Sequence, residues 1–155
     1  MQPIGYIKSP FTELKNMPIQ PKGGSEIIGE VIVDMQFEKG LDDLEGFSHI
    51  YLIYEFHKAT RTELQVIPFM ADSVKGVFST RSPLRPNHLG LSIVTLIKRE
   101  GNRLTIRGVD ILDGTPVLDI KPYIAHFDHV AESSSGWMTA EEEEVKKKRS
   151  DNRFV

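Results

Sequence analysis

Apolar residues in this chain fall in short runs, broken at intervals by glycine, proline and asparagine. Ile4 to Ile7 is the first and can open a sheet. Glu26 to Val33 is rich in β-branched residues and predicts a strand. Phe47 to Phe56 carries aromatic and β-branched side chains at both parities, as a strand buried on two sides would. Thr62 to Pro68 reads as a weaker strand. Leu91 to Lys98 and Arg103 to Ile111 flank Glu100-Gly101-Asn102, a hairpin signal. In the second of these, Leu104 and Ile106 alternate with Arg103, Thr105 and Arg107, which gives one wet face. Asp113-Gly114-Thr115-Pro116 is a turn, with a short strand from Val117 to Ile120 after it.

Helical signals are sparse. Leu41 to Leu44 predicts one turn before Gly46. Thr139-Ala140-Glu141-Glu142 has the form of a capping box, and Glu142, Glu143 and Glu144 each precede a lysine by four residues. Between Ser9 and Gly24, prolines and glycines break any regular element. Many short strands with turn signals between them favour a mostly β protein, a compact closed β-barrel with short helical turns and a C-terminal helical tail. We expect the barrel over 1–138 and a charged tail over 139–155, with no internal repeat.

Composition narrows the classes. A chain of 155 residues with 26 % charged and 39 % hydrophobic residues is the size and make-up of one soluble domain. A formal net charge of -3 gives no global attraction to nucleic acid, so any such binding needs a local basic patch. With no cysteine there are no disulfides, thiolate metal sites or cysteine nucleophiles, which fits a reducing cytoplasm. The first residues lack the basic and apolar regions of a signal peptide, and no apolar run is long enough to cross a bilayer.

The richest stretch for chemistry is Phe78 to Ser92, where Arg81 and Arg85 lie among prolines, Asn87, His88 and Gly90. Proline stiffens such a loop, and guanidinium forks suit carboxylate or phosphate. Two anion sites, or one anion and one structural ion pair, both fit. His57-Lys58 closes the aromatic strand, where sites are often built. Asp110, Asp113 and Asp119 surround the Asp113-Gly114 turn. There they can cap backbone amides, bind ribose hydroxyls or favour a cationic ligand. His126-Phe127-Asp128-His129 matches no strong metal signature, and we assign no metal. Lys146 to Arg149 can either belong to a solvated helix or touch RNA. No Gly-x-Gly-x-x-Gly, Walker loop or nucleophile elbow is present.

Three motifs together resemble the TsaA-like (TrmO) family of S-adenosylmethionine-dependent tRNA methyltransferases that act on N6-threonylcarbamoyladenosine. They are Leu44-Glu45-Gly46-Phe47-Ser48-His49-Ile50 with the strand to His57, Gly76 through Ser92, and Asp110 through Tyr123. The match runs from about Ile4 to Asp128. Ile19 stands where the family usually has arginine, and His88 where a proline follows the asparagine. The resemblance implies a β-barrel acting as a homodimer in the cytoplasm, with tRNA as partner and neither membrane nor DNA. It implies a cofactor pocket drawing on Pro18-Ile19-Gln20, His57-Lys58, Arg81, Leu91 and Asp113-Gly114-Thr115-Pro116. Arg85, Asn87 and Lys121 are then expected to face the RNA. Asp119, His57 and Tyr123 are candidates for the base that takes the acceptor's proton, and the residues alone do not choose among them. Two other readings are open: a barrel that binds S-adenosylmethionine or RNA without catalysis, and a methyltransferase for another nucleoside or metabolite.

Overall fold

A computed structural model describes residues 1–19, 25–139 and 142–154. Six strands close into a barrel: β1 (Gly5–Lys8), β2 (Ile28–Val33), β3 (His49–Glu55), β6 (Leu89–Glu100), β7 (Arg103–Arg107) and β8 (Pro116–Pro122). Around the barrel the order is β1-β2-β7-β6-β3-β8, and every neighbouring pair is antiparallel. The two-residue strands β4 (Gln65–Val66) and β5 (Lys75–Gly76) pair separately outside it. Register shifts at Ile53/Tyr54 against β8, and at Leu96/Lys98 against β7, supply the bends a small closed sheet needs.

The interior is packed by alternate residues of the strands. Ile50, Leu52, Val94, Leu104, Ile106 and Val117 are all buried in one cluster. Alternation also corrects the reading of β3. Ile50, Leu52 and Tyr54 point inward, while Tyr51 and Ile53 are only half-buried. A single-layer barrel has one dry face, so both-sided burial was the wrong inference from composition. The strand expected over Arg103–Ile111 stops at Arg107, because Gly108 turns the chain with φ of +87°. The predicted Leu41–Leu44 turn joins two 3-10 helices, Met35–Leu41 and Leu44–Gly46. The segment Ala125–Asp128 is a helical turn, α1. The C-terminal helix α2 spans Glu142–Lys147, and the Ala140 and Glu141 of the capping box lie outside the described residues. Among the described residues no helix is long and apolar enough to cross a membrane.

Antiparallel pairing sorts the connections by length. The links from Lys8 to Ile28, Glu55 to Leu89 and Arg107 to Pro116 all leave the same end of the barrel. At the other end Arg99 ties the two 3-10 helices down, with Nη1 at 3.1 Å from Asp42 and 3.4 Å from Glu45. One end is therefore plugged and the other carries the long loops.

Candidate active site

The loop-bearing end holds a cleft of about 530 Å³, within the size of small-molecule sites. Its inner wall is Ile53, Tyr54 and Phe56 of the β3 end with Leu89 and Leu91 of β6. The Arg81 loop and the Asp110–Leu112 link close two sides, and Met17, Pro18 and Phe154 a further one.

The Arg81 loop is stiff because its own hydroxyls fold it. Thr80 Oγ1 donates to the Val77 carbonyl at 2.7 Å and accepts from the Ser82 amide at 3.2 Å. Ser82 Oγ accepts from the Leu84 amide at 3.2 Å. Thr80, Ser82 and Leu84 are buried while Arg81 between them is exposed on the cleft side. Such hydroxyl turns cost little and fix the backbone locally. Arg85 Nη1 donates to the Thr80 carbonyl at 3.1 Å, so this second arginine braces the loop while also lining the cleft. His88 adopts φ of +49°, a left-handed backbone that a proline ring forbids. Its ring Nδ1 lies 2.8 Å from the Pro83 carbonyl, and its carbonyl accepts from Phe56 at 2.7 Å. The family's usual proline could not make this bend.

At the cleft floor lies a polar chain. Tyr54 Oη is 3.1 Å from Ser92 Oγ, which donates to Asp110 Oδ1 at 2.9 Å. Burial pushes the Asp110 carboxyl up to about 7, against the Ser92 hydrogen bond and the Arg81 charge, which both favour its ionised form. Burial likewise raises the Tyr54 phenol, which stays protonated. Burial first, and then the Lys58 charge, lower the His57 pKa below its usual 6.5, so its imidazole is neutral at neutral pH.

Of the residues singled out from the sequence, Pro18, Ile19, His57, Lys58, Arg81, Arg85, Leu91 and Thr115 line this cleft. Gln20 lies outside the described residues. Asp113 faces away: its Oδ1 accepts the Ser9 amide at 2.9 Å. Gly114, at φ of +76°, makes the turn that presents Thr115, and Pro116 opens β8. Asn87 is exposed and does not line the cleft. Asp119, Lys121 and Tyr123 follow β8 along the barrel wall toward the plugged end. At about 3.3 Å per residue, Tyr123 stands roughly 25 Å along the chain from Thr115. There it packs on Tyr51 and His49, while Asp119 pairs with Lys121 at 3.3 Å.

Two parts of the site escaped the sequence reading. Asp110 was legible only as a turn aspartate, since its link to Ser92 and Tyr54 needs the strand register. The C-terminal wall gave no signal at all. Ser150 Oγ accepts the Met17 amide at 2.9 Å, and the Ser150 carbonyl accepts the Asn16 amide at 3.0 Å. Phe154 meets Phe69 edge-on at 4.9 Å, and Arg153 lies 5.0 Å over the same ring. Arg153 also donates to Asp151, holding that carboxyl below its usual pKa. His126, Phe127 and Asp128 lie in α1 away from the cleft, and the described residues contain no cluster of three or more metal-ligating side chains.

Known proteins share this architecture. A probable S-adenosyl-L-methionine-binding protein of Pyrococcus abyssi is 50 % identical over 153 residues, covering 99 % of this chain and 83 % of the relative. The tRNA (adenine(37)-N6)-methyltransferase of Homo sapiens is 39 % identical over 135 residues, covering 82 % of this chain and 30 % of its own length. A crystal structure of TrmO from Pseudomonas aeruginosa superposes with a TM-score of 0.73 at 40 % identity, over 87 % of this chain and 60 % of that one. The model of the tRNA-methyltransferase O N-terminal domain matches residues 6–129. On sequence and fold, the chain belongs to the tRNA-methyltransferase O N-terminal domain family.

Proposed function

We propose that the protein methylates the exocyclic nitrogen of threonylcarbamoyladenosine beside the tRNA anticodon. Family membership makes it an S-adenosylmethionine-dependent methyltransferase. The observation that carries this proposal is one cleft that gathers three cations (Lys58, Arg81 and Arg85), two carboxylates (Asp110 and Asp151) and three phenylalanine rings (Phe56, Phe69 and Phe154).

That lining fits the cofactor. The rings suit an adenine, the Arg81 fork a methionyl carboxylate, and the carboxylates a sulfonium or ammonium charge. When bound, the cofactor supplies a methyl group on a positively charged sulfur. The chain's part is to hold donor and acceptor in line, keep water out with Ile53 and Phe56, and take a proton. A nitrogen between a purine and a carbonyl is a weak nucleophile, and a placed base contributes about 10²–10⁴-fold. His57, neutral at neutral pH, and Asp110 both line the cleft and can do this. Asp119 is the cross-strand partner of the cleft-lining Ile53 and stands beside the cleft, whereas Tyr123 packs on Tyr51 and His49 further along β8 and would serve only a neighbouring protomer's cleft. Ile93, 40 % exposed, and Ile97, 46 % exposed, give the outer face of β6 an apolar surface, which supports a homodimer. Lys58, Arg85, Asn87 and Lys121 would meet the RNA backbone, and a tRNA substrate places the work in the cytoplasm.

The test is incubation with labelled S-adenosylmethionine and total tRNA, followed by mass spectrometry of the nucleosides. Loss of threonylcarbamoyladenosine with gain of its methylated form is the expected result. Cofactor binding without transfer would instead favour a non-catalytic barrel. Replacing Arg81 by Ala should weaken cofactor binding about 10- to 100-fold by calorimetry, and unchanged affinity would remove the residue from that role.

A further inference from the structure

A second depression, of about 520 Å³, lies on the far side of the Arg81 loop. Its walls come from Phe78 and Ser79, from Pro68 to Met70, and from Ser135, Trp137 and Met138. Arg81, Thr80 and Pro83 line both this depression and the first cleft, so the loop is a partition between two adjoining sites. Ser135 to Met138 lie beyond the 6–129 stretch that the family model matches.

The surface is aromatic and built. Trp137 Nε1 donates to the Ser79 carbonyl at 2.8 Å, which satisfies the indole edge and fixes the ring. The Lys75 ammonium sits 5.7 Å from the centre of that ring. Phe78 is 73 % exposed although its neighbour Val77 is buried at 1 %. Packing therefore does not explain the Phe78 ring, which is held out by the short helix Val77–Ser79. Fixed aromatic rings beside cations are what single-stranded nucleic acid uses: a base stacks, and its phosphate meets the charge. An RNA chain whose acceptor nucleotide enters the first cleft must seat the next nucleotide close by, and this depression shares a wall with that cleft.

We propose that this depression seats a nucleobase flanking the methylated nucleotide, stacked on Phe78 and Trp137 with Lys75 at its phosphate. The proposal rests on the tRNA reading above. It adds a base-stacking subsite built partly from the segment after residue 129.

Trp137 is the only tryptophan of the chain, so its emission reports on this site. The probe is a seven-nucleotide single-stranded RNA with a central adenosine, compared with the same RNA made abasic on both sides of it. The intact RNA should quench Trp137 emission. Phe78→Ala and Phe78→Leu should each weaken its binding about 5- to 100-fold, and the abasic RNA should lose a similar factor with no further loss in Phe78→Ala. Cofactor affinity by calorimetry should not change in either variant, which also shows that they fold. Wild-type affinity in Phe78→Ala, or in Phe78→Leu, would overturn the stacking site, the latter because it would reduce Phe78 to an apolar contact. If tRNA methylation fails while quenching and its Phe78 dependence persist, the reaction falls and the subsite stands. If methylation proceeds with an unchanged KM in Phe78→Ala, the subsite alone falls.

Discussion

Asp110 owes its character to burial and to two neighbours that are remote in sequence. Its hydrogen bond to Ser92 crosses from the Arg107–Pro116 link to β6, and Tyr54 extends the chain to β3. A carboxyl raised to about 7 from 3.8 prefers its neutral form in the folded protein. The stability this confers is complete below about pH 4 and is lost as pH rises toward 7. Activity should run the other way if Asp110 is the base, with kcat/KM rising through an apparent pKa near 7. Asp110→Asn should flatten that limb and lower kcat by about 10²-fold or more, with pH-rate profiles and chemical denaturation as the measurements. A profile for Asp110→Asn that keeps the limb would pass the role to His57. Arg81, by contrast, was readable from the chain, because arginine in a proline-bounded loop already implies an anion.

At the level of elements, β3 and β6 make the cleft floor through one close contact. Gly90 pairs with Tyr54 across the strands, and a Cβ there would meet the Tyr54 ring at 2.3 Å. Glycine is required because the ring lies over its own cross-strand partner. Gly90→Ala should therefore cost about 1–3 kcal/mol in denaturant unfolding and displace Tyr54 from Ser92, weakening cofactor binding as well. A variant with wild-type stability would mean that the ring swings aside freely. The β6–β7 hairpin could be read from Glu100-Gly101-Asn102 because local turn chemistry dictates it. Closure of β8 onto β1 and β3 could not, since the partners of Tyr6 and Ile53 are set by tertiary register. The reading of β3 as buried on both faces failed for the same reason: aromatic content reports bulk, not which face a closed sheet leaves wet.

For the whole molecule, the barrel and the site have separate supports. Among the described residues the buried cluster extends no further than Val117, with Ile120 packed against it, yet Ser150, Asp151 and Phe154 line the cleft. Ending the chain after Lys147 should leave the thermal unfolding of the barrel nearly unchanged. It should weaken cofactor binding roughly 10- to 100-fold, the loss of one half-buried aromatic wall. A large drop in Tm would show instead that the tail is part of the core. The sequence pointed to a charged tail because its glutamates and lysines dominate, and a single serine bonding across the chain leaves no pattern to read.

The Ser150 contacts also set a timetable. Ser150 reaches Met17 over a separation of 133 residues, and contacts so distant in sequence carry a loop-closure cost and form late. A nascent chain can pair β6 with β7 as soon as both have left the ribosome, and domains generally fold as synthesis proceeds. The cleft lacks a wall until residue 150 has emerged, so a growing polypeptide holds a barrel before it holds a complete site. Cofactor capture at full strength is thereby deferred until that segment has emerged, and a polypeptide ending before it would hold the cofactor only weakly.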